Sequence, residues 1–225
     1  MRLLLLHILL AALLPLSRSM AVAQTDSASA PPHFVWQKPL PATLTVTSLS
    51  IGVSPFFSDY AFSHNLLIRE HVQMWRRNSF DFRSFPIDNV IQFIPFVSVV
   101  GLNLAGVPSR HSTVPLLRRS LSSFLLTTAI VQSLKWSVNE IRPDYSNDNS
   151  FPSGHTAFAF SGAELLRLEY SETSPLIPVA GYAVATLTAF LRVYNDHHWC
   201  SDLFAGAAIG IIAADLSSYL NSLFE

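Results

Sequence analysis

The chain has 225 residues, half of them hydrophobic and only 13% charged, with a formal net charge of −1. That balance points to a membrane and argues against nucleic acid or a strongly basic partner surface. The single cysteine, Cys200, excludes an internal disulfide, and the length suits one domain without internal repeats.

Residues 1–23 read as a signal peptide: Arg2 supplies a positive start, Leu3 to Leu16 an apolar stretch, and Ala21-Val22-Ala23 a small-residue cleavage site. Residues 24–38 follow as a flexible segment, polar and proline-bearing from Thr25 to Pro32, and the membrane domain occupies 39–225. Pro39 to Ser58 carries no charge and is just long enough to span, although Pro39, Pro41, Gly52 and Pro55 weaken it as a regular helix. Tyr60 to Phe80 mixes Phe62, Leu66, Ile68, Val72 and Trp75 with Arg69, Arg76 and Arg77, a pattern expected of an amphipathic helix on a membrane surface.

Asn89 to Ser109 is again free of charge and reads as a clear span. Arg110, Arg118 and Arg119 then form an arginine-rich turn before the next apolar run, Ser120 to Leu134, which delivers Lys135 at its far end. By the positive-inside tendency that turn is cytoplasmic, so Lys135 emerges on the opposite side. Ile141 to Phe151 is a polar loop. The run from Pro152 to about Leu168 returns inward carrying Glu164, a partner for Arg167. Pro175 to Leu191 comes back to Arg192, and His198 to Leu220 is the last span, with a Gly206-x3-Gly210 spacing that allows close helix contact. Alternating helix direction therefore brings Lys135, Pro152, Arg192 and His198 to one face. A cleaved leader requires an even number of crossings before Lys135, which makes Pro39 to Ser58 interfacial or re-entrant; counting it as a crossing gives six spans in place of five.

Three blocks carry the chemistry. Lys135 is followed after six residues by Arg142-Pro143; then come Pro152-Ser153-Gly154-His155; then Arg192, with His198 after five more residues and Asp202 after another three. Each block alone has an ordinary structural reading: an interfacial lysine, a loop start, a proline-led helix opening capped by serine, an i to i+4 polar pair. Together they assemble three cations, two histidines and one carboxylate at the ends of apolar segments, the makings of a phosphate site.

This set resembles the signature of the type 2 phosphatidic acid phosphatase superfamily, which is shared with the vanadium haloperoxidases. The match runs through Lys135, Arg142, Pro143, Pro152, Ser153, Gly154, His155, Arg192, His198 and Asp202, and departs at Leu191, where the family usually has serine before the arginine. The resemblance implies an all-α integral membrane helical bundle of about five to six spans with the phosphatase/haloperoxidase-type core.

The residue chemistry agrees. A phosphate monoester carries about −1.5 to −2 charges near neutrality, and its transition state spreads charge over three equatorial oxygens. Lys135, Arg142 and Arg192 can neutralise them, while the backbone amides near Ser153 and Gly154 aim a helix N-terminus at the anion. His198 is the candidate nucleophile because Asp202, one helical turn on, can hold its other ring nitrogen and fix the tautomer. His155 is the candidate acid for the leaving alcohol and base for the attacking water. His197 falls on another helical face and is read as rim; Trp199 is read as an interfacial aromatic.

The expected function is a membrane lipid phosphatase working through phosphohistidine, without metal or other cofactor, at the outer face of a bacterial-type inner membrane. A lipid A phosphatase comes first among the substrate readings, because Arg69, Arg76 and Arg77 on the outer face would attract a polyanionic headgroup. Undecaprenyl pyrophosphate, phosphatidate or phosphatidylglycerophosphate are the other lipid substrates, a lipid phosphotransferase the variant with another acceptor, and a vanadate-dependent haloperoxidase the alternative from another class. Oligomeric state has no signature in the sequence.

Overall fold

The computed structural model describes residues 59–80 and 85–224. The leader, the segment 24–38 and the stretch from Pro39 to Ser58 lie outside the described residues. Those described form seven helices and no strand: α1 (Asp59–Ser79), α2 (Asp88–Ile91), α3 (Ile94–Leu104), α4 (Thr113–Val138), α5 (Gly154–Tyr170), α6 (Leu176–Tyr194) and α7 (Cys200–Ser222). Three of them, α4, α6 and α7, are long and apolar enough to cross a membrane. At about 1.5 Å per residue each matches or exceeds a hydrocarbon core of about 30 Å, within a residue or two for α6.

α5 is the central helix. It packs against α7, α6, α3 and α4, and its face is small: Ala157, Ala159, Ser161, Gly162 and Ala163 are all buried. The polarity of the bundle is that of a membrane protein, with small and polar groups inside. α4 turns Ser120, Ser123, Thr127 and Val131 inward, while Val114, Leu117, Leu121, Phe124 and Leu125 stand exposed on its outer side. Lipid gives apolar side chains no reason to leave it, so such helices associate through close packing and interhelical hydrogen bonds. Ser123 and Ser161 join α4 to α5 through their hydroxyls at 2.7 Å, and Ser122 and Ser217 join α4 to α7 at 2.6 Å.

The glycine pair expected to permit close contact does so. A Cβ on Gly206 would stand 2.5 Å from the carbonyl oxygen of Ser153, and one on Gly210 would overlap the carbonyl of Ala157. The backbones of α5 and α7 therefore meet where α5 begins, and this fixes the two helix N-termini relative to each other.

Three expectations are corrected. Asn89 to Ser109 is not one continuous helix: Pro95 lacks an amide hydrogen and opens α3 afresh near its first turn, leaving α2 with four residues and α3 with eleven. Eleven residues reach only about 16 Å, roughly half a hydrocarbon core. The arginine-rich turn is smaller than supposed, because α4 starts at Thr113 and carries Arg118 and Arg119 on its first turns; Arg119 is buried, donating to the carbonyl of Ser218 at 2.7 Å.

The third correction concerns α1. Its Arg69, Gln73 and Arg76 form the buried stripe, each no more than 5% exposed, while Ile68, Met74 and Trp75 face outward at 56%, 49% and 53%. The amphipathic helix is present, but two of its three arginines face the protein and are unavailable as headgroup attractants.

Replacing Gly210 with valine should prevent α5 and α7 from closing, since overpacking a backbone contact costs about 1–3 kcal/mol or more. The expected outcome is a lowered thermal midpoint in detergent, with activity lost in parallel; a valine variant as stable as the parent would contradict the packing described.

Candidate active site

Four helix ends surround the site: the C-termini of α4 and α6 and the N-termini of α5 and α7. α4 stops at Asn139, which adopts the left-handed conformation at φ 50° and caps the helix back to Lys135. Lys135 lies on that last turn, and its Nζ donates to the carbonyl of Asn149 at 2.5 Å. The polar loop after it folds back, with Arg142 N donating to Asn147 O at 3.0 Å and Ser150 N to Glu140 O at 2.8 Å.

Ser153 is the N-cap of α5, as its sequence suggests, with its Oγ accepting from Thr156 N at 3.4 Å. Ser153 N donates to the backbone oxygen of Asp202 at 3.1 Å, which ties the start of α5 to the start of α7. Gly154 and His155 open the helix. The ring Nε2 of His155 sits 2.8 Å from Asn89 Oδ1, a contact the sequence did not reveal.

His198 and Asp202 meet, but not for the reason expected. α7 begins at Cys200, so His198 lies in the connecting loop and the two residues do not share a helical face. Asp202 occupies the third helical position and accepts from Trp199 N at 3.0 Å, which bends the chain so that His198 Nδ1 reaches the same oxygen at 3.3 Å. Ser150 Oγ donates to it as well, at 2.6 Å. With Nδ1–H donating to the carboxylate, Nε2 of His198 keeps its lone pair. Burial, and then the positive charges of Arg192, Lys135 and Arg142, push His198 well below the usual imidazole range, so the ring stays neutral.

Arg192 pairs with Asp88, and Asn195 Nδ2 donates to the other oxygen of that carboxylate at 3.0 Å. Asp88, Asn89 and Asn195 belong to none of the three motif blocks, and their place at the site comes from the fold. The signal available was a lone acid standing immediately before a charge-free run. Leu191 is a buried core residue, and the support for Arg192 comes from Asp88 across α2. Nε of Arg142 and Nε of Arg192 are buried and have no acceptor in the protein. Two unsatisfied guanidinium N–H groups beside a neutral imidazole suit an oxyanion.

His197 is also in the loop, not on a helical face. Its Nδ1 lies 3.1 Å from Asp144 Oδ2, at the half-exposed rim. Trp199 is half-buried beneath Arg69, whose guanidinium stands 4.5 Å from the ring centroid, and its Nε1 donates to Ile141 O at 2.9 Å; it serves the loop more than an interface. Among the described residues no group of three or more His, Cys, Asp or Glu is placed to hold a metal ion.

Residues 116–223 match the profile of the PAP2 superfamily. The similarity to that superfamily covers just under half of the chain. A lipid A 1-phosphatase from Porphyromonas gingivalis is 39% identical over 138 residues, 61% of this chain and 31% of that protein. The chain thus matches about a third of that relative's length. An undecaprenyl-diphosphatase from Sulfolobus acidocaldarius is 30% identical over 112 residues, 44% of this chain and 52% of the other. Among solved structures, a transmembrane PAP2-type phosphatidylglycerolphosphate phosphatase from Bacillus subtilis has the same fold, with a TM-score of 0.55 at 18% identity over 82% of this chain and 97% of that one.

Within this core, Glu140 gives a pH dependence. Burial and then the nearby Asp202 carboxylate push it up to about 7, against the pull of Arg69. An unfolded glutamate titrates near ~4.3, so between these values the folded protein binds the extra proton and its stability falls as pH rises. Glu140→Gln should flatten the thermal midpoint across roughly pH 4.5 to 7; an unchanged slope would remove Glu140 as the cause.

Proposed function

We propose that this protein is an integral-membrane lipid phosphatase that removes a terminal phosphate from an amphiphile through a phosphohistidine on His198. The observation that carries the reading is the buried, neutral His198, held at Nδ1 by Asp202 and surrounded by the charges of Lys135, Arg142 and Arg192.

In the first step Nε2 of His198 attacks phosphorus while the bond to the lipid oxygen breaks, and His155 gives that oxygen its proton. Lys135, Arg142, Arg192 and the amides at the α5 N-terminus hold the equatorial oxygens, where charge accumulates. Asp202 stabilises the ring as it becomes cationic. In the second step a water attacks phosphorus, His155 takes its proton, and the P–N bond breaks to release inorganic phosphate and regenerate both histidines. Asn89, 2.8 Å from His155, orients that ring between the two steps.

The site opens at one end of a bundle whose outer faces are apolar, so a lipid can keep its chains in the bilayer while its phosphate reaches the cations. Arg110, Arg118 and Arg119 are at the opposite end, and the positive-inside tendency makes that end cytoplasmic and the site periplasmic in a bacterial-type inner membrane. The substrate reading rests on the 39% identity to a lipid A 1-phosphatase. Arg77, the remaining outward arginine of α1, is half-exposed at the mouth but already pairs with Asp196 at 3.3 Å and donates to Pro143 O at 3.1 Å, so it adds little pull on a headgroup. A prenyl diphosphate is the second reading, supported by the identity to an undecaprenyl-diphosphatase.

His198→Ala should abolish phosphate release and His155→Ala should lower it by about 10² or more, while His197→Ala retains activity. Labelled phosphate trapped on His197, or full turnover by His198→Ala, would reject the assignment. Activity should survive chelation, and vanadate, which reaches the five-coordinate geometry of the transition state, should inhibit. For the substrate, mass spectrometry of lipid A from cells with and without the gene should show one phosphate fewer when the protein is present. An unchanged phosphate number leaves the prenyl diphosphate.

A further inference from the structure

The buried stripe of α1 runs along the loop that carries His198. Arg76 Nε donates to Tyr194 O at 2.7 Å, where the loop begins, and its guanidinium lies 3.7 Å from Asp196. Gln73 Nε2 donates to His198 O at 3.1 Å. Arg69 covers Trp199, where the loop ends, and pairs with Glu140 of the loop between Lys135 and Arg142. Three residues on successive turns of one helix thus grip three successive points of one loop, in antiparallel order. None of the three takes part in the chemistry described above.

His198 needs such support. It belongs to no helix, so regular backbone hydrogen bonding does not set the direction of its ring. Asp202 holds the ring at Nδ1 and the backbone of Ser150 adds a further hydrogen bond to it, but neither contact holds the main chain on which the ring is mounted. The bond from Gln73 to the carbonyl of the same residue does, and so fixes where the ring starts from. The donor is a neutral amide where its neighbours on the stripe are guanidinium groups, and it therefore adds no further cation beside a ring already surrounded by three.

We propose that α1 is a strap that positions the nucleophile, with Gln73 as the positioning residue for His198 and the Arg69–Glu140 pair as the anchor that holds α1 across the site. This rests on the assignment of His198 as nucleophile. The reacting atoms are untouched by α1; the strap acts by holding Nε2 in line with the phosphorus, and a displacement of about 1 Å at such a position can cost roughly 100-fold in rate.

The test uses the full chain purified in detergent and whichever of phosphatidate, undecaprenyl diphosphate or lipid A the parent protein hydrolyses fastest. Gln73→Met keeps the volume and removes the donor; it should lower kcat roughly 10- to 100-fold while KM changes little, the pattern of a group that matters at the transition state. Gln73→His, which retains a neutral donor, should keep more of the activity than Gln73→Met. Arg69→Glu should lose activity and the double variant Arg69→Glu/Glu140→Arg should recover part of it, an arm that holds if Gln73→Met does not fold. His198→Ala serves as the control. If His198→Ala is inactive and Gln73→Met turns over like the parent, the strap is wrong and the nucleophile stands; the same holds if the methionine variant fails to fold and the double variant recovers nothing. If His198→Ala is active, the nucleophile assignment itself fails.

Discussion

The carboxylate of Asp202 holds the site together. It is wholly buried, and one oxygen receives hydrogen bonds from Ser150, from the amide of Trp199 and from His198, while the backbone oxygen of the same residue receives the amide of Ser153. One residue therefore joins the loop after α4, the start of α5, the loop after α6 and the start of α7. A buried carboxylate with a single partner would be costly; with three donors and the positive end of α7 beside it, the charge is stabilised where it is needed. Removing it would leave several donors unpaired at once, so its loss should be felt by the fold as well as by His198.

That node can form only because α5 and α7 approach closely, and they approach closely because the residues between them are small. The contact between them carries Gly206, Gly210, Ala157 and Ser161, while larger side chains such as Leu116, Leu165, Leu166 and Tyr170 form a separate buried cluster. In lipid, the cost of the inward-facing hydroxyls is met by pairing them across helices, as Ser123 does with Ser161.

Much of this is legible in the sequence. The apolar runs ending at Lys135 and Arg192 give α4 and α6, the Pro-Ser-Gly-His block gives a capped helix start, and the glycine spacing gives the contact between α5 and α7. The misreadings share a cause, which is that one-dimensional spacing does not say which face of a helix is covered or where a helix begins. His198 and Asp202 are four apart and meet, yet they do so through a capped helix start and not along a helix. Arg69 and Arg76 look like surface charges because their partners, Glu140 and Asp196, are 71 and 120 residues away in sequence. Asp88 and Asn89 are silent for the same reason: nothing local connects them to Arg192 or His155, and only the break between α2 and α3 carries them to the site.

Charge decides which phosphate such a site accepts. On the proposed reading three cations, Lys135, Arg142 and Arg192, face two buried carboxylates, Asp88 and Asp202, with His198 neutral and His155 carrying, once the phosphate is bound, the proton that it gives to the leaving oxygen. The balance is two positive charges, a match for the −1.5 to −2 of a terminal monoester and more than a diester carrying one requires. In a low-dielectric pocket each uncompensated charge is expensive, yet attraction grows with the charge on the ligand, and the two guanidinium Nε groups without acceptors in the protein favour a group with three free oxygens over one with two. Asp88 is then more than a support for Arg192. By cancelling part of the positive field it keeps the product, inorganic phosphate, from being held as tightly as three unopposed cations would hold it, and leaves the phosphorus bound firmly only while its charge is spread in the transition state.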